Sequence, residues 1–515
     1  MDGVAQTAAG LVRGSEEDGL WVFRGVPYAH AAPGRGRWRR PGAPVPWTGV
    51  RDALAWGPIA PQSPPIPGLS LAGDPVDADE DCLNLNIWTP GLDDARRPVM
   101  VWHHGGGFTT GSGASALFDG RHLAAAGVVV VTFNYRLGAL GYLSHPDLAG
   151  TQDDATGNWG LYDQLALLQW VQDHIGEFGG DPGNVTVFGE SAGSMSIADV
   201  LCAPVAAGLF RRAVLQSGPP ATGTVPWGAR RAERLAGILG RSSTRRDALE
   251  AVAPGELVAA TRQLAAEIPG DGGLPLPFLP VVDGTVLDRS PELSMADPAA
   301  TRVPVLVGVT RDEAALYITP DPSSVDLEGE GVARRLGRLV SAAAAEAIVE
   351  AYADARSARH EPVAGRDLWT AVVSDYVFRL PSLHLAELYA SHGAQAYSYL
   401  FTWESPFLGG AFGSCHGLDV PFVFGSLANP AVHPFTGGGE DAFALSMRMQ
   451  QAWLAFARTG DPSCDAVGDW PAYDDAGRPT MVFGRDTGLE DDPRGPERAV
   501  WDAVDAHPGG GHHHE

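Results

Sequence analysis

The feature that most constrains the fold is a series of short apolar runs that alternate with helical or polar stretches. Six of these runs are predicted to be β-strands: Val99–His103, Val128–Tyr135, Val185–Phe188, Ala213–Gln216, Val303–Val307 and Ala396–Phe401. Several are apolar at every position, which is typical of strands that are covered on both faces. Between the second and third runs, Leu161–Phe178 carries leucines at helical spacing and ends at two glycines. This alternation predicts an α/β protein with a large, mostly parallel central sheet flanked by helices.

The organisation of the chain favours one domain. No Pro/Gly/Ser-rich linker and no internal repeat divides its 515 residues, so we expect a single domain over residues 1–505. The Ala-, Arg- and Glu-rich stretch over about residues 320–391 is predicted to be a helical cap or insertion, with a helix over Val332–Ala355. Another helix is predicted over Ala442–Arg458, and residues 506–515 are expected to be a disordered tail.

Composition excludes several classes of function. All 36 Lys+Arg positions are arginine, and a chain without lysine cannot form the Schiff base of a pyridoxal-phosphate enzyme or supply the lysine of a P-loop. The formal net charge of -26 repels nucleic acid and anionic membranes. The longest aliphatic stretch, near residues 124–131, is too short to span a bilayer. We therefore expect neither a nucleic-acid partner nor a membrane association.

The cysteines and the N-terminus give weaker indications of the compartment. Cys82, Cys202, Cys415 and Cys464 form no C-x-x-C pair and have no histidine at metal-ligand spacing. The start, Met-Asp-Gly-Val, lacks the charged-then-apolar pattern of a signal peptide. We expect a reduced, cytoplasmic protein that is a monomer or a weak homodimer and holds neither a metal nor another cofactor.

The sharpest chemical signal is the G-x-S-x-G sequence Gly189-Glu190-Ser191-Ala192-Gly193. It follows a predicted strand and precedes a helix-like run, the context in which a serine stands on a strained turn with its hydroxyl exposed. Small neighbours are needed there, and the helix start behind the serine favours developing negative charge. An ordinary tight turn is the alternative, but the strand before the motif favours Ser191 as a nucleophile.

A glycine-rich loop, His104-Gly105-Gly106-Gly107-Phe108, follows the first predicted strand. Consecutive glycines allow bare backbone N–H groups to face a ligand oxygen. We predict an oxyanion hole made by the N–H groups of Gly106, Gly107 and Ala192, the residue after the nucleophile. A flexible loop is the alternative, although the order of loop and serine motif along the chain favours the oxyanion hole.

An acid and a base should follow later strands, in that order. The fifth predicted strand leads to Asp312 and Glu313, and either could be the acid. The sixth strand precedes His416, which is the candidate base. Three other histidines fit less well because they belong to the glycine loop or lie in an apparent helix: His103, His104 and His384.

These motifs resemble those of the type-B carboxylesterases, a family that includes bacterial para-nitrobenzyl esterases and the cholinesterases. The matching blocks run in order along nearly the whole chain: Phe23–Ala29, Glu80–Trp88, Gly105–Phe108, Asn134–Gly138, Gly157–Gln164, Asn184–Gly193, Phe278–Gly284, His416–Gly425 and Phe456–Pro462. The resemblance implies an α/β-hydrolase fold. It also implies a cofactor-free serine carboxylesterase that cleaves small to medium apolar or aryl esters through an acyl-enzyme.

Position by position, the resemblance implies Ser191 as nucleophile, His416 as general base and then acid, and Glu313 rather than Asp312 as the orienting acid. The resemblance also implies supporting and pocket positions at Glu190, Ser217, Trp227, Leu274, Leu276 and Phe278. For Trp227, Leu274 and Leu276, core packing is the alternative. Leucine where some relatives have aromatic residues predicts tolerance for medium or branched acyl groups.

Two further expectations rest on the resemblance. Many relatives join the equivalent of Cys82 to an upstream cysteine, but that position is Ala60 here, so Cys82 should be unpaired and the intervening loop looser. Two arginine–carboxylate pairs should be buried as in the family: Arg37 with Glu80, and Arg136 with Asp163.

Two other functions remain open. The same triad could cleave carbamates or aryl amides, or the chain could be a non-catalytic, adhesion-type relative. The last is disfavoured because such relatives typically lack the serine. If His416 is the base, it must be neutral to accept a proton, so activity should fall on acidification through its pKa, near neutrality before any shift.

Overall fold

The computed structural model describes residues 3–31, 33–64, 77–149, 155–268, 274, 276–298, 300 and 302–504. The strands are β1 (Val4–Thr7), β2 (Gly10–Arg13), β3 (Ser15–Glu17), β4 (Leu20–Pro27), β5 (Val50–Asp52), β6 (Asn84–Thr89), β7 (Arg97–His103), β8 (Val129–Phe133), β9 (Gly180–Glu190), β10 (Arg212–Gln216), β11 (Gly223–Thr224), β12 (Val281–Val282), β13 (Val305–Thr310), β14 (Ala396–Phe401), β15 (Pro479–Phe483) and β16 (Gly488–Asp491).

The α-helices are α1 (Arg121–Ala125), α2 (Gly138–Tyr142), α3 (Trp159–His174), α4 (Ala192–Cys202), α5 (Val225–Ile238), α6 (Arg246–Leu249), α7 (Pro254–Ala266), α8 (Pro291–Met295), α9 (Ala315–Ile318), α10 (Gly329–Leu336), α11 (Ala342–Ala358), α12 (Gly365–Ser374), α13 (Leu380–Ser391), α14 (Val420–Phe424), α15 (His433–Thr436), α16 (Glu440–Thr459) and α17 (Gly495–Ala503). A π-helical turn, Asp375–Arg379, lies between α12 and α13.

One large sheet organises the chain, with strand order β16-β15-β14-β13-β10-β9-β7-β8-β6-β4-β3. Neighbours from β15 to β8 are parallel, whereas the strands added at the two edges are antiparallel. All six predicted strands lie in this sheet. The prediction of a large, mostly parallel sheet is therefore confirmed.

The apolar runs arise because the sheet is covered on both faces. Along β7, Val99 and Val101 pack into one large hydrophobic cluster, whereas Met100 and Trp102 pack into another. Successive side chains of a strand point to opposite faces, so a strand between two cores must be apolar at every position.

The helix predictions hold with one correction. The predicted helices over 161–178 and 442–458 correspond to α3 with a following 3₁₀ turn, and to α16. The single helix predicted over Val332–Ala355 is wrong, because α10 ends at Leu336 and α11 begins at Ala342. Gly337 weakens the helix at this point, and the Ser341 hydroxyl accepts a hydrogen bond from the N–H of Ala344 and so starts a new helix.

The stretch over residues 320–391 is largely helical and lies between β13 and β14 in the chain. With α17 it encloses a third hydrophobic cluster, which includes Ile348, Trp369 and Trp501. Its role as a cap, like the single-domain organisation, stays a prediction. The predicted disordered tail, 506–515, lies outside the described residues.

Both predicted ion pairs are present. Arg37 and Arg136 each place two guanidinium nitrogens on the two oxygens of their carboxylate, Glu80 and Asp163 respectively. All four cysteines lie in the described ranges and are unpaired, Cys82 among them. Most of the loop that was expected to be looser falls on residues 65–76, outside the described ranges. None of the described helices has the length and apolarity needed to cross a membrane.

Candidate active site

The serine motif forms a strained junction between β9 and α4. Ser191 has φ 54° and ψ -126°, outside the regions that non-glycine residues usually adopt. Its N–H donates to the carbonyl of Gln216 at the end of β10, with an N···O distance of 2.9 Å. The neighbouring strand therefore holds this turn in place.

The two glycines of the motif are required by close backbone packing. A Cβ atom on Gly193 would clash with the carbonyl oxygen of His103 at the end of β7. A Cβ atom on Gly189 would lie 2.7 Å from the same oxygen, closer than real Cβ contacts allow. The spacing G-x-S-x-G thus lets the start of α4 approach the end of β7.

The glycine-rich loop after β7 lies against this junction. A Cβ atom on Gly105 would be 3.0 Å from the Cβ of Ser191. Gly106 and Gly107 have φ of 114° and 59°, a region that favours glycine. Their N–H groups donate to no acceptor in the described part of the chain. Ala192 is the first residue of α4, so its N–H has no intrahelical acceptor either.

The acid and the histidine meet across two loops. The Nδ1–H of His416 donates to Oε2 of Glu313 with a separation of 2.5 Å. The other oxygen of Glu313, Oε1, accepts the N–H of Thr310 at 2.7 Å. With both oxygens engaged and its side chain 0% exposed, Glu313 is itself held in place and fixes Nδ1 as the nitrogen of the imidazole that carries the donated proton.

Asp312, the alternative acid, is engaged elsewhere. Its Oδ2 accepts from Arg311 at 2.7 Å and from the N–H of Ser414 at 2.9 Å. The Arg311 guanidinium helps to lower the pKa of Asp312, although burial by itself would raise it. Asp312 is therefore a structural partner of Arg311, and Glu313 is the carboxylate that contacts the histidine.

The second nitrogen of His416 faces Glu190, the residue before the serine. Nε2 lies 3.0 Å from Oε1 of Glu190, but neither atom makes a well-aligned hydrogen bond with the described residues. Burial by itself would lower the pKa of His416, but the negative charges of Glu190 and Glu313 outweigh burial and raise it. Burial has the opposite effect on a carboxyl group, and it raises the pKa of Glu190.

Asp419 belongs to the same cluster and was missed by the sequence analysis. Its Oδ2 accepts hydrogen bonds from Gln216 at 3.0 Å and from the hydroxyl of Tyr399 at 2.8 Å. Burial is the main cause that raises its pKa to about 6. Its position three residues after His416 was the available signal. The network connects the ends of β10 and β14 with the histidine loop.

Two aromatic rings next to the histidine were also missed. The ring centroids of Phe378 and Tyr317 lie 4.9 Å and 5.7 Å from that of His416. Tyr317 follows Glu313 closely in the chain, which was a weak signal. Phe378 lies in a helical region far from every motif, so the sequence carried no signal for it.

The predicted pocket positions lie in three different settings. Leu276 lies beside the glycine loop, since a Cβ on Gly107 would be 3.2 Å from its side chain, and Leu274 is partly buried nearby in the chain. Trp227 and Phe278 are buried in the main hydrophobic cluster, and their contact with a substrate stays a prediction. Ser217 is buried after β10, and its hydroxyl has no hydrogen-bond partner in the described ranges.

The described residues contain no group of three or more His, Cys, Asp or Glu side chains that could hold a metal ion. What the arrangement offers chemically is a serine on a strained turn, free backbone donors beside it and a histidine oriented by a carboxylate. These are the parts of a nucleophilic acyl-transfer site.

A serine on a strand-to-helix turn at the carboxyl edge of a mostly parallel sheet is typical of the α/β hydrolases, and this chain has their fold. The sequence model of the carboxylesterase family matches residues 2–501. The chain belongs to this family, and it is a carboxylic-ester hydrolase.

The similarity extends along nearly the whole chain. Para-nitrobenzyl esterase of Bacillus subtilis (strain 168) is 38% identical over 499 residues, which are 96% of this chain and 97% of that protein. Phenmedipham hydrolase of Pseudarthrobacter oxydans is also 38% identical, over 95% of this chain and 96% of its own. A Geobacillus stearothermophilus carboxylesterase structure superposes with a TM-score of 0.85 at 37% identity, covering 97% of this chain and 100% of that one.

Proposed function

We propose that Ser191, His416 and Glu313 hydrolyse small to medium apolar or aryl carboxylic esters through an acyl-enzyme. The observation that carries this proposal is the 2.5 Å hydrogen bond between His416 and Glu313, at the sheet edge where Ser191 stands. The bond leaves Nε2 as the nitrogen that can exchange a proton with a substrate or a serine.

In the acylation half, Ser191 Oγ attacks the ester carbonyl carbon while Nε2 of His416 takes the hydroxyl proton. The carbonyl oxygen becomes an oxyanion, which the N–H groups of Gly106, Gly107 and Ala192 stabilise. The tetrahedral intermediate then expels the alcohol, which leaves with the proton from Nε2.

In the deacylation half, a water molecule takes the place of the alcohol. Nε2 accepts a proton from the water as its oxygen attacks the acyl carbon, and the second tetrahedral intermediate releases the acid and regenerates the Ser191 hydroxyl. Glu313 stabilises the imidazolium in both halves. Glu190, 3.0 Å from Nε2, adds a second negative charge that favours this protonated state.

The acyl side of the substrate should be apolar and of moderate size. Leu276 lies next to the glycine loop where the carbonyl oxygen would bind. A leucine occupies less space than the aromatic residues of some relatives at this position. We therefore expect medium or branched acyl groups to be accepted.

A second candidate activity is the hydrolysis of carbamates or aryl amides by the same groups. The observation that favours a broad range is the similarity to three proteins that carry the names of different hydrolases: para-nitrobenzyl esterase, phenmedipham hydrolase and fumonisin B1 esterase. A triad of this kind attacks any of these carbonyl groups, and the pocket decides which are accepted.

The test is an assay of purified wild type and Ser191→Ala on 4-nitrophenyl acetate, butyrate and octanoate, on phenmedipham and on a 4-nitroanilide. Ser194→Ala is the matched control, because Ser194 is a buried serine one turn along α4 whose hydroxyl donates to the Gly218 carbonyl. We expect Ser191→Ala to lower kcat by about 10⁴-fold or more. Ser194→Ala should keep kcat within several-fold.

Each outcome decides between the functions. Hydrolysis of the nitrophenyl esters above the other substrates supports the esterase, and faster turnover of phenmedipham or the anilide supports the second candidate. Undiminished activity of Ser191→Ala would refute the mechanism. A wild type that is inert on all of these substrates would favour a non-catalytic relative.

A further inference from the structure

An irregular turn interrupts the helix that runs from α12 to α13. Residues Asp375–Arg379 form a π-helical turn between the two α-helices. Pro381 follows the turn, and a proline inside a helix lacks an N–H for the i−4 carbonyl and crowds that carbonyl. The sequence therefore contains a local cause of irregular hydrogen bonding, and π-helical turns frequently occur at functional sites.

One side of this turn contacts the base, and the residue directly before the turn contacts the neighbour of the acid. The Ser374 hydroxyl, directly before the turn, accepts the N–H of Ala314 at 2.9 Å, and Ala314 is the residue after Glu313. Phe378, within the turn, places its ring centroid 4.9 Å from that of His416 at an interplanar angle of 44°.

Phe378 is also held from behind. It is 0% exposed and packs in a small cluster with Val309, Leu400 and Val482, which belong to β13, β14 and β15. The ring thus lies between the sheet and the imidazole. Such packing leaves a side chain little freedom to move.

The other side of the turn is locked by a chain of hydrogen bonds. Arg379 donates twice to Asp375, from Nε at 2.6 Å and from Nη2 at 2.6 Å. Asp375 also accepts the hydroxyl of Tyr352 at 2.5 Å, and Tyr352 accepts Nε1–H of Trp501 at 2.9 Å. The turn is therefore connected through α11 to the C-terminal helix α17.

We propose that the π-helical turn positions the Glu313–His416 pair, with Phe378 as the residue that holds the imidazole plane and Ser374 as the residue that holds the loop of the acid. This inference rests on the proposed function, because it assigns a role in the same reaction. Phe378 and Ser374 are positioning residues, since they act through His416 and Glu313.

The physical reason is that one hydrogen bond does not fix a ring. The bond from Nδ1 to Glu313 leaves the imidazole free to tilt about the line joining the two residues. A buried ring packed beside the imidazole at an interplanar angle of 44° restricts this tilt and keeps Nε2 directed to the same place. Misplacement by about 1 Å in a catalytic group can cost about 100-fold in rate.

The test compares two variants that each remove a buried ring from the same turn, Phe378→Leu and Tyr376→Leu. Tyr376 packs on Trp501 with ring centroids 5.4 Å apart, in the third hydrophobic cluster, to which Phe378 does not belong. Melting temperature, kcat, KM and the pH profile of kcat/KM are measured on 4-nitrophenyl butyrate. We expect both variants to lose stability, but only Phe378→Leu to lower kcat, by about 10- to 100-fold, with little change in KM.

The pH profile separates positioning from loss of stability. Removal of the Phe378 ring loosens the imidazole and admits water beside it, which weakens the effect of the Glu190 and Glu313 charges that outweigh burial and raise the pKa of His416. The acid limb of kcat/KM should then move to lower pH in Phe378→Leu and stay in place in Tyr376→Leu. An unchanged kcat in Phe378→Leu, or an equal fall in Tyr376→Leu, would overturn the inference.

A second pair of variants decides the matter if Phe378→Leu does not fold. Ser374→Ala removes the acceptor for the Ala314 N–H, whereas Ser374→Thr keeps a hydroxyl at the same place. A lower kcat in Ser374→Ala that Ser374→Thr restores supports the inference, and equal kcat values in the two would overturn it. An inert wild type would instead overturn the proposed function, and this inference with it.

Discussion

Two of the regions in which this protein buries charge do so in opposite ways. The arginine pairs are two isolated guanidinium–carboxylate contacts, Arg37 with Glu80 and Arg136 with Asp163. The histidine cluster contains three carboxyl groups around one imidazole, and its members are Glu190, Glu313, His416 and Asp419.

The two regions differ in how completely their hydrogen bonds are made. In the arginine pairs, both nitrogens of each fork meet a carboxylate oxygen at 2.5–2.8 Å, and a third nitrogen donates to a backbone carbonyl. In the histidine cluster, three buried polar atoms have no hydrogen-bond partner in the described ranges: Glu190 Oε1, His416 Nε2 and Asp419 Oδ1.

This difference separates structure from chemistry. A buried charge whose hydrogen bonds are all made favours one geometry and has no free atom to offer a substrate. Buried polar atoms without partners cost free energy, and the cost is tolerated where those atoms must meet a substrate, a proton or water. The following variants test this contrast, from the largest expected effect to the smallest.

The largest effect should come from Glu313 in the histidine cluster, and its neighbour Asp312, which pairs with Arg311 as in the arginine pairs, provides the comparison. Glu313→Gln removes the charge that orients His416, so we expect kcat to fall by about 10³- to 10⁴-fold with a modest change in melting temperature. Asp312→Asn, the matched control, weakens the contact with Arg311 and should lower stability while kcat stays within several-fold. Steady-state kinetics and thermal unfolding on both variants check this. A large fall in kcat in Asp312→Asn together with a nearly unchanged kcat in Glu313→Gln would make Asp312 the acid.

The arginine pairs should respond in stability alone. Arg136→Lys keeps the charge but loses the two-point contact with Asp163, and we expect a loss of about 3 kcal/mol in the free energy of unfolding. Arg37→Lys should cost less, because Glu80 is partly exposed. Arg245→Lys, in an exposed pair with Asp247, serves as the control and should change little. Urea unfolding gives the values, and full stability of Arg136→Lys would refute a structural need for arginine.

Asp199 tests whether a buried carboxyl group without a hydrogen-bond partner, outside the histidine cluster, lowers stability without contributing to activity. It is buried in α4, and neither oxygen has a hydrogen-bond partner in the part of the chain that is described. Burial, with a smaller contribution from Glu292, raises its pKa well above the usual value. Asp199→Ala should therefore stabilise the protein by about 1–3 kcal/mol at neutral pH, with kcat preserved.

The gain from Asp199→Ala should grow with pH. At a pH below the unfolded-state pKa of about 3.9, the carboxyl is protonated in both states and costs no charge burial. As pH rises through that value, the unfolded chain releases the proton while the folded chain keeps it, so wild-type stability falls. Unfolding at about pH 5 and about pH 8 measures this, with the exposed Asp173→Ala as control. An equal gain at both values would contradict the assignment.

The smallest effect is a shift in the pH profile. The acid limb of kcat/KM should lie above the ordinary histidine pKa of about 6.5, because Glu190 and Glu313 favour the protonated imidazole, which cannot accept the serine proton. Glu190→Gln removes the charge 3.0 Å from Nε2, so the limb should move to lower pH by about one unit. A limb that stays in place, or moves to higher pH, would show that Glu190 does not act on His416 in this way.

The sequence predicted those features that depend on local pattern. Strands covered on both faces are apolar runs, and glycines mark the close approach of Gly193 to His103. The contact of Glu313 with His416, and both arginine pairs, followed from the resemblance to a family. The break between α10 and α11 was missed because the helical pattern on either side of Gly337 hid it.

The parts that could not be predicted depend on contacts between distant segments. Phe378 reaches His416 only because a π-helical turn presents it between the sheet and the imidazole. Asp419, directly before α14, accepts a hydrogen bond from Gln216 at the end of β10, and the sequence around either residue does not indicate the contact. The approach of Glu190 to Nε2 likewise depends on how the loop that carries His416 packs against the end of β9.

The central claim is that Ser191 is the nucleophile activated by the histidine cluster. The most direct measurement treats the protein with diethyl 4-nitrophenyl phosphate, follows the loss of esterase activity and locates the modified residue by peptide mass spectrometry. The account predicts one diethylphosphoryl group on Ser191, in proportion to the activity lost, and slow labelling in Glu313→Gln. Full inactivation with the label on another residue, or full activity with Ser191 labelled, would contradict it.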